Sequence, residues 1–118
     1  MAAVESFREL VVWQRAIELS VAAYKLTASF PREEMYGLTS QIRRASVSVA
    51  SNIAEGQGRR TAGEFLQFLG IARGANLEVQ TQLMIAAKLD YGFPAGIAEC
   101  ERVSVEVGRM LNGLMKTL

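Results

Sequence analysis

Four stretches of helical periodicity, separated by short turns built on proline and glycine, restrict this chain to one kind of architecture. The first helix is expected from about Leu10 to Ser29. It should stop ahead of Phe30-Pro31, because the residue before a proline is pushed out of the α region. Trp13, Ile17, Ser20 and Tyr24 recur at helical spacing and are expected as its core stripe, with Val12, Ala16, Leu19, Ala23 and Leu26 as a second stripe beside it. After the turn Pro31 to Gly37, a second helix should run from about Leu38 to Glu55, with Gly56 and Gly58 as exit signals. Leu38, Ile42, Ala45, Val49 and Ile53 form its main stripe. Val47, Ala50 and Ala54 fall on an adjoining flank, and Arg44, Ser48, Ser51 and Glu55 gather on the opposite side.

The third helix opens with Thr61-Ala62-Gly63-Glu64, a capping box in which the threonine hydroxyl and the glutamate carboxylate satisfy orphan amides reciprocally. It continues through Phe65, Leu69, Ala72, Val79, Leu83 and Ala86 to about Leu89, while Leu66, Leu77 and Met84 form a smaller second stripe. The loop Asp90 to Phe93 leads to Pro94 in the first turn of a last helix, whose stripe is Ile97, Cys100, Ser104, Val107, Leu111, Leu114 and Leu118. Short loops between long helices make antiparallel neighbours. The expected fold is one all-α, up-down-up-down four-helix bundle occupying residues 1–118.

Composition closes off whole classes of function. Cys100 is the single cysteine and there is no histidine, which excludes an intrachain disulfide, imidazole-ligated metal and histidine acid-base chemistry. No cofactor, metal site or catalytic residue is expected. Half the residues are hydrophobic, but no run approaches the roughly 18 uninterrupted apolar residues of a membrane-spanning helix. Residues Met1 to Arg8 carry Glu5 and Arg8 and lack the basic-then-apolar layout of a signal peptide, so a cytoplasmic protein without membrane association is expected. The net charge of +1 provides no global basic field, and any nucleic-acid contact must rest on local clustering.

The second apolar stripes of the first and third helices would leave a monomer with large exposed apolar patches. Self-association is the expected outlet. The alternative is that Leu66, Leu77 and Met84 lie at helix boundaries, covered by long neighbouring side chains.

Several ordered segments resemble a known family. They are Leu10-Val11-Val12-Trp13-Gln14, Phe30-Pro31-Arg32-Glu33-Glu34 with Tyr36-Gly37-Leu38, Gln41-Ile42-Arg43-Arg44-Ala45, Ser51-Asn52-Ile53-Ala54-Glu55-Gly56 and Gly58-Arg59-Arg60. Phe65-Leu66-Gln67-Phe68-Leu69 with Ala72-Arg73-Gly74, and Glu78 with Gln82-Leu83, continue the pattern. Together they are similar to the bacterial four-helix-bundle proteins encoded in intervening sequences of 23S ribosomal RNA genes. The resemblance implies an up-down-up-down bundle that assembles as a ring-like homopentamer. It also implies kinship with the accessory proteins of diversity-generating retroelements, which work with RNA and a reverse transcriptase. Ala50-Ser51 and Gly74-Ala75 stand where that family suggests proline-serine and glycine-serine, changes that leave the helices intact.

Four groups of residues are candidates for function. Arg59 and Arg60 occupy the glycine-bounded loop after the second helix, at the end of the bundle that also holds Arg8 and Lys116, diluted by Glu5, Glu9 and Glu64. Guanidinium forks suit phosphate, although arginines after a helix C-terminus also complement its dipole. Arg43 and Arg44 sit mid-helix on different faces. They are expected to pair with a carboxylate of a neighbouring helix, Glu78 above all, or of another subunit, or else to touch nucleic acid. Asn52 and Asn76 are expected to be structural, with Asn76 in the apolar stripe of the third helix, where a buried amide must find hydrogen bonds. Glu55, Glu64 and Glu78 could in principle form a carboxylate metal site, but the di-iron pattern needs histidines that are missing. Trp13, Tyr24, Phe65 and Phe68 read as core residues and not as stacking platforms interleaved with arginine. The reading is a non-catalytic, oligomeric bundle binding RNA or DNA through backbone electrostatics. The alternative is an interaction scaffold for a partner protein such as a reverse transcriptase or RNA enzyme.

Overall fold

The computed structural model describes residues 6–118. Four α-helices follow one another: α1 Val11–Thr27, α2 Leu38–Gln57, α3 Ala62–Lys88 and α4 Pro94–Lys116, with 3-10 turns at Phe7–Glu9 and Arg32–Glu34. Local chemistry fixes most of the boundaries. At the start of α3, the Thr61 hydroxyl accepts from the Glu64 N–H at 3.1 Å and donates to the Glu64 carboxylate at 3.1 Å. This is half the expected box, because the carboxylate binds the threonine hydroxyl and not a backbone amide. Pro94 stands in the first turn of α4, where its missing N–H costs nothing.

Each helix packs against its two neighbours in the order α1-α2-α3-α4-α1, and no Cα atoms of the diagonal pairs come within 8 Å of each other among the described residues. That is a square, antiparallel bundle. The core runs along its axis through Leu19 and Leu26 of α1, Ile42, Val49 and Ile53 of α2, Leu69, Val79 and Leu83 of α3, and Cys100, Val107 and Leu111 of α4. Each such side chain contributes about 1.5 to 3 kcal/mol relative to exposure.

In α1 the two stripes exchange roles. Val12, Ala16, Leu19, Ala23 and Leu26 are the buried ones, whereas Trp13 and Ser20 are half-buried, and Ile17 and Tyr24 are exposed. The physical reason is the square arrangement: one apolar arc of α1 faces the axis, and the other rotates outward over the flanks of its neighbours. Helix α2 also runs beyond its expected end. Gly56 lies inside it, buried against α3, and a Cβ there would stand 2.8 Å from the Phe68 Cβ. This glycine lets the backbones approach before the chain turns. Leu118, expected on the α4 stripe, is exposed beyond the helix end at Lys116.

Candidate functional site

The end of the bundle that carries the α2-α3 loop gathers charge. Phe7 lines a depression with Ser51, Ala54, Glu55, Gly58 and Arg59, so the 3-10 turn at Phe7–Glu9 sits against the C-terminus of α2. Arg8 stacks on the Phe7 ring at 4.6 Å. Glu5 lies outside the described residues.

Arg59 is fully engaged. It bonds the Glu55 carboxylate at 2.5 Å, lies 4.0 Å from Glu64, and stacks on the Phe68 ring at 4.6 Å. The i,i+4 spacing to Glu55 explains the first contact, and the chain reversal into α3 supplies the other two. Because the pair is solvent-exposed, it is worth at most about 1 kcal/mol and can be exchanged for a phosphate. Arg60 is exposed and enters no hydrogen bond or ion pair among the described residues.

Neither Arg43 nor Arg44 makes the expected interhelical ion pair among the described residues. Arg43 turns toward α1, where its Nε donates to the Thr27 hydroxyl at 2.9 Å and its guanidinium covers the Tyr24 ring at 4.6 Å. Its partner is therefore an aromatic face and a hydroxyl. Arg44 and Glu78 line one shallow groove between α2 and α3 with Gln41, Ser48 and Gln82, but both are exposed and no ion pair within 4.0 Å joins them. A buried pair is excluded by geometry: both side chains sit on the solvent side of the α2-α3 seam. The Gln82 Oε1 in this groove is buried without a partner.

Three of the four aromatics read as core residues depart from that reading in part. Tyr24 and Phe68 each carry an arginine, and Trp13 packs edge-on against Phe7 with centroids 5.2 Å apart. The signal missed was spacing across helices, which no single-helix stripe displays.

The amides have clear positions. Asn76 is buried, donating through Nδ2 to the Ser104 carbonyl at 2.9 Å and accepting from the Ser104 hydroxyl at 2.7 Å; Gln80 Nε2 donates to the same hydroxyl at 3.0 Å. This knot fixes the register of α3 on α4. Asn52 donates to the Ser48 carbonyl at 2.8 Å and hydroxyl at 3.0 Å, one turn back on its own helix. Among the described residues no cluster of His, Cys, Asp and Glu has metal-binding geometry, and no helix is long and apolar enough to cross a membrane. Burial pushes the Cys100 thiol up to about 11, so it carries almost no thiolate at neutral pH.

Two faces remain apolar in the isolated chain. On α1, Ile17, Val21 and Tyr24 are 39, 48 and 45 % exposed. Ile17 and Val21, with Ala22, Leu26 and Phe93, line a groove of about 470 Å³ between α1 and α4. On α3, Leu77, Met84 and Ile85 are 51, 56 and 45 % exposed.

The comparisons with known proteins agree with this fold. Residues 8–113 match the family model described as "23S rRNA-intervening sequence protein". A crystal structure of a protein of unknown function from the S23 ribosomal protein family of Bacteroides thetaiotaomicron VPI-5482 is similar, with 22% identity and a TM-score of 0.80. The match covers 90% of this chain and 99% of that one. No curated protein matches the sequence.

Proposed function

The chain belongs to the 23S rRNA-intervening sequence protein family, and from that premise we propose that it is a non-catalytic, self-associating bundle whose basic end binds the phosphate backbone of RNA or DNA. The observation that carries this reading is Arg60, exposed and without a carboxylate partner among the described residues, next in sequence to the stacked Arg59. A phosphate there meets one free guanidinium, and a second that exchanges a solvated carboxylate for it. The exposed arcs of α1 and α3 support self-association, and repetition of the basic end around a symmetric assembly, a homopentamer by the family resemblance, would add avidity. A cytoplasmic location fits such a protein.

The test is fluorescence anisotropy with a structured RNA hairpin and a DNA duplex, titrated between low and moderate salt. The parent should bind both, with affinity falling steeply as salt rises. Arg59→Ala/Arg60→Ala should weaken binding about equally for all sequences and flatten the slope by roughly 0.7 to 0.9 log units per lost phosphate contact. Circular dichroism should be unchanged. A parent that fails to bind at low salt, or a double variant with the parent's slope, removes the reading.

The α1-α4 groove favours a second reading, an interaction scaffold for a partner protein. A kinship with retroelement accessory proteins, which the sequence resemblance implies, would make a reverse transcriptase or another RNA enzyme that partner. Binding in an apolar groove should barely respond to salt, which separates the two readings.

A further inference from the structure

One buried side-chain oxygen is left without a partner, in the groove between α2 and α3, and from the groups around it we infer that this groove binds a free α-amino acid as the zwitterion. The site is separate from the basic end of the bundle and needs neither Arg59 nor Arg60.

The unexplained atom comes first. Among the described residues, Gln82 Oε1 is the single buried side-chain oxygen or nitrogen that makes no hydrogen bond. Buried polar atoms are normally partnered, because leaving water without gaining a new bond costs free energy. The other buried amide, that of Asn76, is met by Ser104 from within the chain. An amide oxygen accepts and cannot donate, so the missing partner brings an N–H or an O–H. A water molecule would satisfy Gln82 alone, but its neighbours ask for more.

The groove is lined by Gln41, Arg44, Ala45 and Ser48 of α2 and by Glu78 and Gln82 of α3, and has a volume of about 360 Å³. That is the small end of the range for ligand pockets, roughly 300 to 1,000 Å³. Arg44 and Glu78 belong to its two walls, and neither enters an ion pair among the described residues. One cation and one anion leave the groove with no net charge. A chain of phosphates would be repelled by Glu78 and a polyamine by Arg44, whereas a small zwitterion meets both.

The other exposed cations of α3 do not disturb this balance. Arg73 and Lys88 stand about 140° and 80° around the helix from Glu78, and neither lines the groove. On α2, Arg43 is turned away to Tyr24 and Thr27 of α1.

An α-amino acid matches these groups in kind and number. Its carboxylate suits the planar fork of Arg44. Its ammonium has three N–H donors, enough to serve the Glu78 carboxylate and Gln82 Oε1 together. Ser48 Oγ accepts from Asn52 at 3.0 Å and still has its own proton to donate, and the Gln41 amide stands beside it in the lining. These two remain for the ligand's side chain. Only Ala45 in the lining is apolar, so the groove favours polar, uncharged side chains, as in glutamine, asparagine or serine, over those of leucine or phenylalanine.

The test is saturation-transfer difference NMR on the full chain, offered each of the standard L-amino acids at millimolar concentration. A polar, uncharged amino acid should give a saturable signal. Its α-amide and its N-acetyl derivative each lack one charge and should bind about ten-fold more weakly or worse. Arg44→Ala and Glu78→Gln should each lose the signal, and Arg59→Ala/Arg60→Ala should keep it. Gln82→Met carries the sharpest expectation. It removes the buried acceptor with little change of shape, so the ligand-free variant should melt at a higher temperature than the parent while binding falls about ten-fold. A purely structural glutamine would not move the two in opposite directions. Silence from every amino acid overturns the proposal, as does an amide or N-acetyl derivative that binds as well as the zwitterion. Binding unchanged by Gln82→Met overturns the assignment to this groove. Inorganic phosphate or an RNA hairpin that binds in place of the amino acids, and is lost with Arg44→Ala alone, would make the groove an anion site and overturn it as well.

Discussion

Helix α3 has two faces that follow different rules. Its inner face carries Leu69, Ala72, Val79, Leu83 and Ala86, all buried, around a single amide whose hydrogen bonds are met by Ser104. Its outer face carries two glycines in open space and large apolar side chains in water. The inner face is explained by this chain alone, since its apolar side chains are buried and the Asn76 amide is hydrogen-bonded to Ser104. The outer face is not: each mid-helix glycine costs about 1 kcal/mol relative to alanine with no gain inside the subunit. What the chain does has to be sought where its own fold leaves groups unexplained.

The sharpest way to break the comparison is on the inner face. Leu83 is 2 % exposed, so Leu83→Ala should cost about 2 to 5 kcal/mol of stability, from lost transfer energy and a cavity that only partly collapses. Urea denaturation at matched chain concentration measures it. A cost below about 1 kcal/mol would mean the bundle repacks freely and the inner face is not the rigid one.

Asn76→Ala should come next, at about 1 to 3 kcal/mol, because it leaves the buried Ser104 O–H without its acceptor and removes the second bond to the Ser104 carbonyl, which keeps only its place in the α4 ladder. Adding Ser104→Ala should recover part of the loss, so the double variant costs less than the sum of the singles. Strict additivity would show that the knot holds no joint energy.

The inner face of α3 was legible in the residue pattern because its main stripe, with Leu69, Ala72, Val79, Leu83 and Ala86, is longer than its second one of Leu66, Leu77 and Met84. Helix α1 shows the limit. It carries two apolar stripes, and periodicity alone does not choose between them. The arginines were less legible still. The Arg59 pairing with Glu55 follows from i,i+4 spacing, but its stacking on Phe68 requires the chain to reverse, and the contacts of Arg43 with Tyr24 and Thr27 require α1 and α2 to be placed side by side. Arg44 and Glu78 were paired on paper by adjacency of helices, yet adjacency of elements does not settle which side of the seam each side chain takes.

The smallest expected effect belongs to the outer face and separates its two explanations. Gly74→Ala adds a methyl group that meets nothing within 4 Å in the isolated chain. In a subunit dissociated by dilution it should therefore stabilise the helix by up to about 1 kcal/mol and raise the melting temperature by a few degrees. If the proposed self-association covers the outer face of α3, the same methyl enters that contact, so the parent carrying Gly74→Ala should dissociate at higher chain concentration than the parent does. The two effects have opposite signs, and that opposition is the test. A variant more stable as a subunit and unchanged as an oligomer would show that the glycine faces water in the assembly too. A variant weakened in assembly alone shows that the outer face of α3 gives up local stability for contact with another copy.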